Sequence, residues 1–392
     1  ATAAAAAAEA TAAAAAPKAA APQPRIKVEG EAAMAAARQK LIGELDALPR
    51  DSLAHVFAGF LRTVDGFAAF AAQSELACAE LDLVRGHDYL KNDLFLAVVR
   101  AVQQGRVVGI LFGTPCSSFS EARHNKSDDP RYACCKPLRL NRANLVDRSG
   151  LSPKERAEVA MHDELVRRTC TVCLLLHKLG GDFVIENPVD RGNDTDAFLK
   201  RYYCGPDRVA LNLHPEVVAL IAATGAKILH VAQCRFGGEF QKVTMLILSP
   251  RVYEALKSKG ITQENQLYQC WWQPDRGCHL CGKTKHEEVA IGKMSGEAAF
   301  YPAEFNKALE GGLVQARVAG APGRRDLASA SSSACGCCGY CGRSECGECS
   351  LLCVWKYGEG DDDDPPAADP PLQPLPLSAE QAAAAKLPAS GL

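Results

Sequence analysis

A thiol at the end of an apolar run is the first group in this chain with chemistry to offer. Cys116 closes the segment Gly113-Thr114-Pro115-Cys116, and Ser117-Ser118-Phe119-Ser120 follow it. The preceding Val107–Phe112 is apolar and rich in β-branched residues, which predicts a buried strand. Open α/β sheets gather their ligand sites at the carboxyl ends of strands, where this thiol would stand. Proline sets the turn, and the two serines are expected to open a helix whose N-terminus would lower the thiol's pKa. Cys116 is therefore the candidate nucleophile. A second chemistry lies in the cysteine spacing. Cys335, Cys338, Cys341, Cys346, Cys349 and Cys353 are close enough in sequence to wrap zinc from one loop. Cys270, Cys278, Cys281 and His286 have the ligand types for one further zinc site, with His279 as an alternative ligand. That second loop could equally be packed on the sheet through Trp271 and Trp272.

Composition narrows the setting. The chain holds 18 cysteines in 392 residues, seven of them between Cys335 and Cys353. Without a secretory signal of charged start and apolar core, such crowding favours metal over disulfides. Cys78, Cys170 and Cys173 lie in apolar surroundings and read as core residues. The net charge of −2 excludes a whole-chain basic field, so a nucleic-acid partner would need local patches. No apolar run is long enough to span a bilayer, and no membrane partner is expected. The chain begins at Ala1, as a fragment or processed form would.

The elements that must position these residues follow from periodicity. Residues 1–30 are alanine-rich and of low complexity, and residues 31–50 are predicted to form a helix ended by Pro49. From residue 51 the pattern runs strand, helix, strand, helix, strand: 55–59, 66–74, 76–82, 94–104 and then Val107–Phe112. That order predicts an α/β fold, a parallel sheet with helices on both faces. The basic, turn-rich stretch 121–152 is long enough to be functional. A strong helix is predicted from Pro153, with Ser152 as N-cap and Gly180-Gly181 as its stop. Further strands are expected at Phe183-Val184-Ile185, at 227–231 and at Val243–Leu248, with a helix near Pro215. The expected divisions are a core of residues 51–250, an extension over 251–318, a linker over 319–334, a zinc module over 335–358 and an acidic, proline-rich tail over 359–392. The extension should hold a helix at 252–259 and a short closing helix, begun by Pro302, up to Leu309.

Taken together, the strand ends resemble the cytosine C5 DNA methyltransferase family over roughly residues 53–250. His55-Val56-Phe57-Ala58-Gly59, Gly66-Phe67 and Glu80-Leu81-Asp82 look like its first two motifs. Gly113-Thr114-Pro115-Cys116 with Phe119-Ser120 resembles its Pro-Cys nucleophile loop, and Phe183-Val184-Ile185-Glu186-Asn187 its Glu-Asn-Val strand end, with Pro188 for valine. Phe236-Gly237-Gly238 through Gln241-Lys242-Val243-Thr244 takes the place of a later Gln-x-Arg-x-Arg motif. The Phe119-Ser120-x-Ala122-Arg123 and Gln-Lys-x-Thr segments look closer to divergent forms carried by phages and retroelements.

The resemblance implies a class I S-adenosylmethionine-dependent methyltransferase sheet that methylates cytosine C5 in DNA. Cys116 would add to C6, and Glu186 would hydrogen-bond the base edge. Phe57, Gly59, Glu80, Asp82 and Pro115 would surround S-adenosylmethionine, with Glu80 on the ribose. Ser120, Arg123, Asn187, Arg235, Gln241 and Lys242 would meet the nucleic acid, whose target base must leave the duplex. The 270–286 loop would correspond to the target-recognition region. Cys335-x2-Cys338-x2-Cys341-x4-Cys346-x2-Cys349-x3-Cys353 resembles the CXXC zinc finger that reads CpG, with Arg343 and Lys356 as its basic contacts. A nuclear setting would follow. Two alternatives remain open at the level of sequence: a non-catalytic nucleic-acid-binding descendant of the fold, and methylation of cytosine in RNA.

Overall fold

The computed structural model describes residues 28–119, 137–139, 142, 145, 150–286 and 300–320. The expected CXXC-like module and tail lie outside them, as do linker residues 321–334, Ser120, Arg123, Arg343 and Lys356 and the six ligands from Cys335 to Cys353, whereas 319 and 320 belong to a helix.

Six strands, β1 (Ser52–Val56), β2 (Cys78–Leu81), β3 (Val107–Phe112), β4 (Asp182–Pro188), β5 (Lys227–Ala232) and β6 (Val243–Leu248), make one sheet in the order β2-β1-β3-β4-β6-β5. β1 to β4 pair in parallel, whereas β6 runs antiparallel to both β4 and β5. The first three strands are parallel, as their alternation with helices predicts, and the sheet as a whole is mostly parallel. The connection over residues 233–242 is shorter than a crossover between parallel strands requires, so the chain folds straight back beside β5.

Seven helices cover the sheet among the described residues: α1 (Glu31–Ala47), α2 (Phe67–Gln73), α3 (Asn92–Gln103), α4 (Pro153–Lys178), α5 (Pro215–Thr224), α6 (Pro250–Ser258) and α7 (Ala303–Gly320). Strand side chains alternate between two cores. Ala54, Ile110, Phe112, Phe183 and Ile185 pack with Leu45 of α1, Phe95 and Val98 of α3, Cys170 and Cys173 of α4 and Leu220 of α5. Leu53, Leu111, Val184 and Leu246 pack with Phe67 of α2, Leu256 of α6 and Phe305, Leu309 and Leu313 of α7. Both faces are thus apolar, which is why these strands read as continuous apolar runs.

Helix ends follow their local signals. α4 starts in a capping box: Ser152 accepts from the Glu155 amide, and Glu155 accepts from the Ser152 amide at 2.7 Å. α7 outruns its expected end at Leu309 because Leu313 and Ala316 extend the buried stripe to Gly320. Gly109 lets it approach, since a Cβ there would stand 2.8 Å from Leu53 and 3.4 Å from Leu313. A two-stranded antiparallel ladder, β7 (Trp272–Gln273) with β8 (Cys278–His279), carries the cysteine-bearing loop. No helix among the described residues is long and apolar enough to cross a membrane.

Candidate active site and metal centre

From β1 the sheet grows towards β2 on one side and towards β3 and β4 on the other, so the carboxyl ends of β1 and β3 flank the point where strand order reverses. Crevices at such points are the usual ligand sites of open α/β sheets. At the β1 end, Phe57 takes a left-handed conformation with φ 65°, sparsely populated for a residue with a bulky side chain. Gly59 follows with φ 72° and open space where a Cβ would stand. The Gly59 amide donates to Asp82 Oδ2 at 2.7 Å, and the Val84 amide donates to Asp82 Oδ1 at 2.9 Å.

Glu80, the acid expected on a ribose, does not reach that rim. It is buried, with Oε2 accepting from Arg85 at 3.1 Å and Oε1 accepting from the Ala68 amide at 3.4 Å, in the first turn of α2. Asp82 is the acid left at the strand end. His55 Nδ1 lies 4.0 Å from Glu80, yet burial first, and then the Arg85 charge, push its pKa down to about 3. Arg85, closer to that carboxylate, neutralises it, so His55 is a neutral core residue rather than half of an ion pair.

The thiol and the second acid meet at the β3 and β4 ends. Phe112 pairs with Ile185, which brings Gly113 and Glu186 to the same edge of the sheet. Asn187, fully buried, donates from Nδ2 to the Thr114 carbonyl at 3.1 Å. It fastens the Cys116 loop. Beyond Cys116, Ser117 lies 3.3 Å from His162 Nε2, and Ser118 accepts from the buried Arg139, which also donates to Asp163 at 2.6 Å. Residues 117–119 form a turn closed by the Phe119 amide on the Cys116 carbonyl at 2.8 Å, and the continuation of the expected helix lies outside the described residues. The thiol's pKa is raised rather than lowered. Burial is the main cause; the Lys242 ammonium pulls it down and the Glu186 charge pushes it up. Pro115 is half-buried beside it.

Glu186 is enclosed by donors from four places in the chain. Tyr301 Oη donates to Oε2 at 2.7 Å; Thr244 Oγ1 at 3.2 Å and Gln233 Nε2 at 3.3 Å donate to Oε1, with Lys242 Nζ 3.2 Å from the same oxygen. Burial, followed by Glu186 itself, pushes the Tyr301 hydroxyl well above the usual phenol range. Lys242 also sits over the Tyr301 ring, 5.2 Å from its centroid. Lys242, expected on nucleic acid, is therefore the ammonium of this cluster. Neither Tyr301 nor Gln233 carries a local signal for this role, and Thr244 is marked only as the end of the Gln241–Thr244 motif. Tyr301 lies 115 residues from Glu186, and only the packing of α7 brings it there.

The metal-ligating residues gather beside this cluster. Cys234, Cys270, Cys281 and His286 have ligand atoms all within 4.8 Å of one another, and this Cys3His group could hold a metal ion such as zinc. His286 Nε2 is 3.3 Å from the sulfurs of both Cys270 and Cys281. Cys234 donates to Cys270, which holds the Cys270 thiol below and the Cys234 thiol above the ordinary range. Cys278, expected as a ligand, lies outside the group. It is held in the β8 ladder opposite Gln273, and the following turn carries Cys281 into the cluster instead. Arg235 and Gln241, expected on nucleic acid, brace this loop. Arg235 donates to the Leu267 carbonyl at 2.6 Å and the Leu280 carbonyl at 3.4 Å, and Gln241 donates to the Cys270 carbonyl at 3.2 Å. No protein-family model matches the chain, and neither does any curated protein.

Proposed function

We propose that the protein transfers a methyl group from S-adenosylmethionine to C5 of cytosine in DNA through a covalent bond from Cys116 to C6. The observation that carries this reading is the convergence of Cys116, Glu186, Lys242 and Tyr301 at one edge of the sheet, next to the reversal of strand order. Cytosine C5 is a poor nucleophile until a group adds to C6. The Cys116 thiol gives up its proton to water and attacks C6 as thiolate, and electron density moves toward N3 and C5. Glu186 holds the base edge at N3, replacing one of its present donors. Lys242 and Tyr301, both on that carboxylate, are at hand to supply the proton that N3 takes up. With the cofactor bound, C5 would take its methyl group; the C5 proton would then pass to water as the Cys116 sulfur leaves as thiolate, and N3 would return its proton to the Lys242–Tyr301 pair.

For the cofactor, the chain's residues fit at Gly59, whose open side accepts a close neighbour, and at Asp82, whose oxygens each keep a lone pair beyond the amides they already bind. They do not fit at Glu80, which is committed to Arg85. S-adenosylmethionine, when bound, supplies an electrophilic methyl group. A second reading, a binding protein without turnover, draws support from the four donors that already occupy Glu186. Transfer of labelled methyl groups to matched DNA and RNA, alongside calorimetry with S-adenosylmethionine, tests the proposal. Label on DNA cytosine is the expected result. Label on RNA alone would move the substrate, and neither heat nor label would leave the binding reading.

A further inference from the structure

We infer that Cys234, Cys270, Cys281 and His286 bind one zinc ion as a closed site, and that this ion fastens the turn over residues 233–242 so that Gln233 and Lys242 stay on Glu186. The inference needs only the fold and stands apart from the methyl-transfer reading.

The donor set and its dimensions point to zinc. Thiolate and imidazole ligands at about 2.3 Å and about 2.0 Å from a tetrahedral ion lie about 3.5–3.8 Å from one another. The four ligand atoms fall within 4.8 Å of one another, and His286 Nε2 is 3.3 Å from two of the sulfurs. Three sulfurs and one nitrogen select zinc over hard cations, and four protein ligands leave no position for a substrate. Cys234, Cys270 and His286 are buried, and none of the three cysteines is in a disulfide. The ligands come from two stretches, the turn between β5 and β6 and the loop around β7 and β8, so an ion would join elements that are separate in sequence.

The coupling to Glu186 runs through chain neighbours. Cys234 follows Gln233, whose side chain donates to Glu186 and whose amide donates to the Lys242 carbonyl at 2.8 Å. Gln241 precedes Lys242 and donates to the Cys270 carbonyl. On each arm of the turn, the residue that touches Glu186 is thus one peptide bond from a residue fastened to the ligand group.

Metal content of the full chain decides the first part. Zinc would be counted by mass spectrometry and by release with a mercurial, because other cysteine-rich segments also take up metal. Cys234→Ser should hold one zinc fewer per chain than the wild type, while Cys278→Ser and His286→Cys should hold as many. Loss in Cys278→Ser with retention in Cys234→Ser would overturn the ligand set, as would a Cys234–Cys270 disulfide in non-reducing peptide maps. If Cys234→Ser does not fold, His286→Ala takes its place beside His286→Cys: one zinc fewer in the first and a full count in the second supports the set, and an unchanged count in His286→Ala overturns it. The second part is read from the pH dependence of Cys116 alkylation, which involves no methyl transfer. Removing the ion should move that profile to higher pH in the wild type and add no shift in Lys242→Met. An unmoved wild-type profile after loss of one zinc would overturn the fastening role.

Discussion

Gly113 and Tyr301 offer the sharpest test of how the site is assembled. A Cβ at position 113 would stand 2.7 Å from the Tyr301 hydroxyl and 3.0 Å from the Phe57 carbonyl oxygen. Real Cβ atoms do not approach so closely, so Gly113→Ala must push Tyr301 away from Glu186. Overpacking of this kind costs about 1–3 kcal/mol. Losing a hydrogen bond to a buried charged group costs about 1.5–3 kcal/mol, with the 2.7 Å contact at the strong end of neutral-donor geometry. The single change should therefore destabilise by about 2.5–6 kcal/mol, and about 3 kcal/mol would lower Tm by about 6–12 °C in a domain of this size. Tyr301→Phe alone should cost about 1.5–3 kcal/mol. In the double variant the clashing oxygen is gone, so the combined loss should fall short of the sum by at least about 1 kcal/mol. Urea denaturation of the four proteins supplies the cycle. Additivity within about 0.5 kcal/mol would refute the contact, because independent sites add to that precision.

Two further outcomes follow from the same geometry. Alkylation of Cys116 should speed up with rising pH from a higher starting point than an ordinary thiol, and Lys242→Met should move the profile higher still, since the lost ammonium was holding the pKa down; an unchanged or lowered profile, read by peptide mass spectrometry, would contradict the placement of Lys242. His55 has a folded pKa of about 3 against 6.5 when unfolded, so between these values the unfolded chain binds a proton that the folded chain refuses. Stability should fall with falling pH across that window by up to about 1.4 kcal/mol per pH unit, and His55→Leu should remove about one proton from the measured slope; an equal slope in the variant would place His55 in water.

Local chemistry made most of the framework legible in the sequence. Val107–Phe112 is apolar throughout, and Val243–Leu248 is apolar but for Thr244, because both sheet faces are covered, and Ser152, Pro153 and Glu155 spell out a helix start that needs no tertiary partner. Cys116 and Glu186 were legible because one follows an apolar strand and the other sits near the carboxyl end of one. What escaped depends on contacts across the chain. Tyr301 reads as the residue before a proline-led helix until α7 docks, and Glu80 reads as a strand-end acid until Arg85 takes it. Cys234 carries no spacing signal, being 36 residues from Cys270, whereas Cys278 carries a strong one from Cys281 and yet stands in a ladder. The reversal of β6 was implicit in a short connection but invisible in the strand's own residues.

The central claim is that the Cys116 sulfur and the Glu186 carboxylate act on one pyrimidine. It is tested most directly by incubating the protein with DNA containing 5-fluorocytosine and S-adenosylmethionine, since fluorine at C5 cannot leave as a proton and the sulfur stays bound. The expected result is a denaturation-resistant protein–DNA adduct whose crosslinked peptide contains Cys116, absent from Cys116→Ser and strongly reduced in Glu186→Gln. A wild-type protein that binds the DNA and the cofactor yet forms no adduct, or an adduct at another cysteine, would contradict the account.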